Sequence, residues 1–198
     1  MIFWICFSII FLPCLILFPI KMVGKKNLKE LKGKNFIVSC NHMSNMDPIM
    51  MDIKFRKKFR MLAKIELFSN KFAGFFMKQY GAIPVDRNHA DTNAIKQSLK
   101  VLNDGKCMTI FPQGHREKSP RVEDGTAKEG VAMLSIRTNT PVVPMMFSRK
   151  IKMFRRVKLL IGAPIYPDPE KKRDKEYLAE FSNLIIEKMN QLLEGENK

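Results

Sequence analysis

Phe36-Ile37-Val38-Ser39-Cys40-Asn41-His42-Met43-Ser44-Asn45-Met46-Asp47-Pro48 reads as a buried strand that ends in a loop and runs into a helix. The uncharged run over 36–40 has the length and apolar continuity of a strand covered on both faces. Pro48 suits the first turn of a helix, where a missing N–H costs nothing. Between them stand His42 and Asp47. Neutral imidazole takes up a proton near neutral pH, and a carboxylate on its other ring nitrogen fixes the tautomer and stabilises the imidazolium. On a continuous helix a five-residue step is about 500° of rotation, so a turn must fold Asp47 back for the two to meet. The plain alternative is a hydrogen-bonded loop histidine beside a helix-capping aspartate. The spacing alone does not choose between them.

Outward from this stretch, strands and helices alternate, which predicts an α/β fold: a mixed β-sheet covered by helices. Residues 60–63 read as a second strand, followed by a short helix from about Glu66. Ala82-Ile83-Pro84-Val85 reads as an edge or loop strand, because proline is excluded from central ladders. Asp91 to Asn103 is a helix, capped by Asp91 or Thr92, with Ile95, Leu99 and Leu102 on one face and Gly105 beyond its end. Strands are expected at 107–111, 142–147 and 157–161, and helices at 128–138 and 175–193.

The 198 residues suit one domain, and the formal net charge of +16 favours an anionic partner. Met1 to Ile20 carries no charge and is almost wholly apolar. As a helix it would run ~30 Å, the thickness of a bilayer core. Lys21, Lys25 and Lys26 follow this run rather than precede it, which argues against a cleaved signal peptide and for a cytoplasmic body. Pro13 and Pro19 leave open a segment lying in one leaflet. The expectation is a membrane anchor over 1–22, a catalytic domain over 23–198, and a location at the cell membrane with the domain on its cytoplasmic face. Four cysteines without a CxxC spacing suggest core thiols in a reducing compartment and no metal site.

Three further stretches carry chemistry: Gly81-Ala82-Ile83-Pro84-Val85-Asp86-Arg87, Phe111-Pro112-Gln113-Gly114-His115-Arg116 and Val142-Val143-Pro144-Met145. The first two end apparent strands with an arginine, whose planar fork of donors fits a phosphate better than lysine does. Together with Asn41-His42-x4-Asp47, these blocks resemble, in order and spacing, the 1-acylglycerol-3-phosphate acyltransferases of the glycerolipid acyltransferase superfamily. The resemblance spans roughly residues 25–165.

The resemblance implies transfer of a fatty acyl group from a thioester, acyl-CoA or acyl carrier protein, to the sn-2 hydroxyl of 1-acylglycerol 3-phosphate, without a cofactor. It makes His42 the general base and Asp47 its orienting partner. It assigns Arg87, Arg116, Gly114, Gln113 and Lys64 to substrate binding. Two departures stand out: Gln113 replaces the family's usual glutamate, and His115 replaces a small hydroxyl residue, which leaves the acceptor open. Glycerol 3-phosphate or another lysophospholipid is the alternative.

Two basic runs complete the chain: Lys54-Phe55-Arg56-Lys57-Lys58-Phe59-Arg60, and the stretch from Arg149 to Lys158. They suit anionic lipid headgroups, the acidic surface of acyl carrier protein or the phosphates of coenzyme A. The expected partners are thus a lipid membrane, the acyl donor and a lysophospholipid, with no nucleic acid. A non-catalytic basic module binding membrane surfaces or nucleic acid is the more distant reading.

Overall fold

The computed structural model describes residues 13–86, 91–123, 129–172 and 174–196. In chain order they form β1 (Ile20–Val23), β2 (Ile37–Cys40), α1 (Met46–Phe55), β3 (Arg60–Lys64), α2 (Lys71–Tyr80), β4 (Ile83–Val85), α3 (Thr92–Asn103), β5 (Met108–Ile110), α4 (Gly130–Thr138), β6 (Val142–Phe147), β7 (Val157–Ile161) and α5 (Lys175–Glu194). Short 3₁₀ turns at Lys25–Leu31 and Ile65–Phe68 complete them.

One sheet runs in the order β1-β7-β6-β2-β5-β3-β4. Strands β2 to β6 are mutually parallel, β7 is antiparallel to β6, and β1 is parallel to β7. The carboxyl ends of five strands therefore share one edge, and β1 and β7 begin at that same edge. Loops at this edge of an open α/β sheet are where ligands bind.

Both faces of the sheet are covered, which explains its uninterrupted apolar strands. Val38 and Cys40 of β2 and Val143, Met145 and Phe147 of β6 pack with α1 on one face. Ile37, Val142 and Met146 point to the other, against α3, α4 and α5. Cys14, Cys40 and Cys107 are buried free thiols, and burial, then the nearby Asp47, raises the Cys40 thiol well above its usual range.

Local signals place the elements. Asp91 caps α3 by accepting from the Ala94 N–H at 2.9 Å, as its sequence suggests. Proline-bearing β4 is the edge strand beside β3. Asn70 caps α2 by accepting from the Phe72 and Ala73 N–H groups, both at 3.0 Å. Gly81 ends α2 at φ 72°, where a Cβ would fall 1.8 Å from the Arg60 guanidinium. A side chain there would strain the backbone and displace the guanidinium.

Three readings change. The sheet begins at Ile20, inside the stretch expected to be anchor, because the Ile20 to Val23 backbone finds a partner in β7. Residues 13–17 are helical, 1–12 lie outside the described residues, and among the described residues no helix is long and apolar enough to cross a membrane. The helix expected from Glu66 resolves into the 3₁₀ turn and the separate α2. Finally, the first basic run is not one exposed surface: its Phe59 is fully buried, edge-on to Phe36 and to the half-buried Phe55 at 5.8 and 5.5 Å.

Candidate active site

Cys40 ends β2 at the centre of the carboxyl edge, and Asn41 and His42 follow. Asn41 is wholly buried and works as a staple. Its Nδ2 donates to the Phe147 and Pro120 carbonyls at 3.0 and 2.9 Å, and its Oδ1 accepts from the Phe147 N–H at 2.8 Å. It ties the end of β2 to the end of β6 and to the chain beyond β5, fixing where the next residue starts.

The chain then turns so that Asp47, the second residue of α1, comes back under His42. His42 Nδ1 lies 3.0 Å from Asp47 Oδ2. The same oxygen accepts from the Met43 and Ser44 N–H groups, both at 2.7 Å. Asp47 is fully buried and sits at the positive end of the helix dipole, where an anion is favoured. With Nδ1–H donating to the carboxylate, Nε2 keeps its lone pair and is the nitrogen left for the cleft. The imidazole ring is further held by Phe111, stacked at 4.1 Å and 21°. Its side chain is only 15% exposed.

Gln113 and Gly114 follow β5 on the neighbouring loop. Gln113 is buried and turned inward, its Oε1 3.4 Å from the His42 N–H. It buttresses the histidine loop from below rather than facing the cleft. Gly114, at φ 74°, makes the tight turn, its N–H donating to the Phe111 carbonyl at 3.0 Å. The Glu117 N–H donates to the His42 carbonyl at 2.8 Å, so the two loops are joined on both sides of the imidazole.

A cleft of about 960 Å³ opens over His42. Ile49, Met61, Leu67, Met77, Val85 and Phe111 give it an apolar wall; Lys64, Arg116, Lys118 and Lys150 give it a cationic rim. Arg116 Nη1 donates to Asn45 Oδ1 at 3.0 Å, and Lys64 pairs with Glu66 at 2.8 Å. Both are exposed and can turn to an anion at small cost. Arg87 lies outside the described residues. His115 is exposed and paired with Glu117. Sequence reasoning thus named His42, Asp47, Gly114, Arg116 and Lys64, which do gather here. It missed the Asn41 staple, the Phe111 stack and Lys118, although Asn41 and Phe111 each sit at the end of a buried strand.

At the far end of α1 lies a second buried carboxylate. Asp52 accepts from the Phe59 N–H at 3.1 Å. Burial lifts its carboxyl to about 7, against the opposing pull of the Tyr80 hydroxyl, the Phe59 N–H, Lys58 and Arg60.

The chain is also similar to known proteins in sequence and in fold. A family model described as Acyltransferase matches residues 19–148. The 1-acyl-sn-glycerol-3-phosphate acyltransferase of Bacillus subtilis (strain 168) is 31% identical over 186 residues, covering 90% of this chain and 89% of that protein. The protein of the same name from Streptococcus pneumoniae is 27% identical over 161 residues, and the match spans 59% of its length. In fold, the chain is similar to PlsC, the 1-acyl-sn-glycerophosphate (LPA) acyltransferase of Thermotoga maritima. The TM-score is 0.68 at 22% identity, over 90% of this chain and 73% of that one. A family model over most of the chain and a nearly end-to-end relative make the protein a member of the acyltransferase family, an enzyme of acyl transfer.

Proposed function

We propose that this chain moves a fatty acyl group from an acyl thioester to the sn-2 hydroxyl of 1-acylglycerol 3-phosphate, giving phosphatidate. The observation that carries the reading is the His42–Asp47 contact at 3.0 Å, beneath a cleft with an apolar wall and a cationic rim. A lysophosphatidate has that same division: one acyl chain and one phosphate.

An alcohol is too weak an acid to attack a carbonyl unaided. In the proposed reaction His42 Nε2 accepts the sn-2 hydroxyl proton as the oxygen attacks the thioester carbon. Asp47 stabilises the imidazolium that forms. The C–S bond breaks, the imidazolium returns the proton to the leaving thiolate, and the products are the ester and the free thiol. Direct transfer of this kind needs no acyl-enzyme. Arg116, Lys64 and, on the resemblance, Arg87 hold the phosphate, while the apolar wall takes up acyl chain. The donor is acyl-CoA or acyl carrier protein, and the protein works at the cytoplasmic face of the cell membrane.

The test is thiol release by the purified full chain given each donor with 1-acylglycerol 3-phosphate, glycerol 3-phosphate or another lysophospholipid. Release that depends on 1-acylglycerol 3-phosphate and vanishes in His42→Ala supports the proposal. Release with a different acceptor alone reassigns the substrate, and no release with any acceptor removes the reading.

A further inference from the structure

The carboxyl edge of the sheet carries more than the cleft. Among the described residues, the most exposed large apolar side chains gather around it: Phe72 at 75%, Phe154 at 72%, Ile16 at 65% and Met153 at 55%. Phe75, Phe76, Ile65 and Leu67 are also exposed. Folded domains rarely leave such a set in water without a partner.

Two elements present it. On α2, Phe72 and Phe75 each meet Phe76 edge to face, at 4.8 and 5.7 Å, forming one aromatic ridge. The inward side of the helix is Gly74, where a Cβ would lie 2.6 Å from the Phe68 carbonyl oxygen. The glycine lets α2 pack closely on the 3₁₀ turn before it, while its phenylalanines stay exposed. The second element is the turn between β6 and β7, where Phe154 adopts φ 57°. Its N–H donates to the Leu17 carbonyl at 2.6 Å. This contact ties the turn to residues 13–17. β7 starts at the carboxyl edge, so this turn and the cleft mouth lie on the same side of the molecule.

We propose that the α2 ridge and the Met153–Phe154 turn insert together into an anionic lipid surface, seating the mouth of the cleft against the bilayer. Charge selects a lipid surface over other occupants. Helix α2 holds Lys71 and Lys78 and no acidic residue, and the turn is flanked by Lys152, Arg155 and Arg156. Two copies of such a surface repel one another, whereas phenylalanine beside lysine is the composition of interfacial helices on anionic bilayers. Continuity is the second argument. Leu67 lines the cleft and is itself exposed beside the ridge, so an acyl chain passes from bilayer to apolar wall without crossing water. The functional consequence rests on the lipid acceptor proposed above; the contact surface does not.

The experiment uses the full chain with Trp4→Phe, which removes the only tryptophan, and then one reporter at a time. Phe72→Trp and Phe154→Trp report on the proposed surface. Tyr166→Trp is the control: Tyr166 is 53% exposed and follows Ile165, which bridges to Val142 at the opposite edge of the sheet. The probe is vesicles of phosphatidylglycerol with brominated acyl chains. Both surface reporters are expected to lose at least half their emission, and the control less than a tenth. Equal quenching at all three sites, or none at Phe72→Trp while the protein pellets with the vesicles, overturns the proposal. A concentration-dependent blue shift of Phe72→Trp without lipid also overturns it, in favour of self-association. Because the readout involves no acyl transfer, its failure leaves the proposed reaction standing.

Discussion

Helix α1 holds two buried aspartates, one at each end, and they are put to opposite uses. Asp47 stands in the first turn, where two backbone N–H groups and the His42 ring converge on a single oxygen. Asp52 stands in the last turn, where the helix dipole disfavours an anion and the backbone offers one N–H, from Phe59. Burial then dominates at Asp52 and holds its carboxyl at about 7. The same residue type in the same helix holds a histidine at one end and is pushed toward its neutral form at the other. Burial is common to both; what differs is the partner each carboxylate meets, the His42 ring at Asp47 and the Phe59 N–H and Tyr80 hydroxyl at Asp52.

The sharpest way to break this contrast is to remove what Asp47 serves. His42→Ala is expected to lower kcat by about 10³-fold or more with an unchanged circular dichroism spectrum. Asp47→Asn keeps an acceptor for the Met43 and Ser44 N–H groups but removes the charge that supports the imidazolium. A fall of roughly 10²–10³-fold in kcat is expected, with little change in KM. An equal loss in Asp52→Asn would erase the distinction between the two ends.

Arg116→Ala sharpens the contrast from the rim. The acceptor KM is expected to rise about tenfold and the donor KM to stay within twofold, as read from initial rates against each substrate. Asp52→Asn carries the smallest kinetic effect, within about twofold, and its signature is in stability. The Asp52 carboxyl has its folded value raised from 3.8 to about 7, so between those pH values the folded state binds the extra proton. Native stability therefore falls as pH rises through this window, and the loss is complete above about 7. In Asp52→Asn that contribution is absent. Melting curves at pH 5 and pH 8.5 should show the variant gaining on the parent at the higher pH, by on the order of a few kcal/mol.

The heart of the fold is legible in the sequence because burial on both faces writes β2 and β6 as uncharged, largely apolar runs, and because Asp91 announces α3. The histidine loop is legible for a different reason: residues that must converge in space are carried there by strand ends, and those ends are marked in the sequence. What escapes has physical causes. Strand β1 hides within an apolar stretch, and its partner at Val157 to Leu160 is more than a hundred residues away. Helix α2 is hard to read because its inward stripe of Ala73, Met77 and Tyr80 is only half-buried around Gly74, while its more strongly apolar phenylalanines are exposed. Gln113 reads as a substrate residue until its burial shows the side chain turned under the loop. The first basic run reads as one exposed surface until Phe59 is found fully enclosed.

The pairing of β1 with β7 also bears on how the protein is made. Strand β1 is synthesised more than a hundred residues before its hydrogen-bonding partner. Until then the β1 backbone groups have no strand to pair with, while β2 to β6 already have theirs. The outer edge of the sheet therefore closes last.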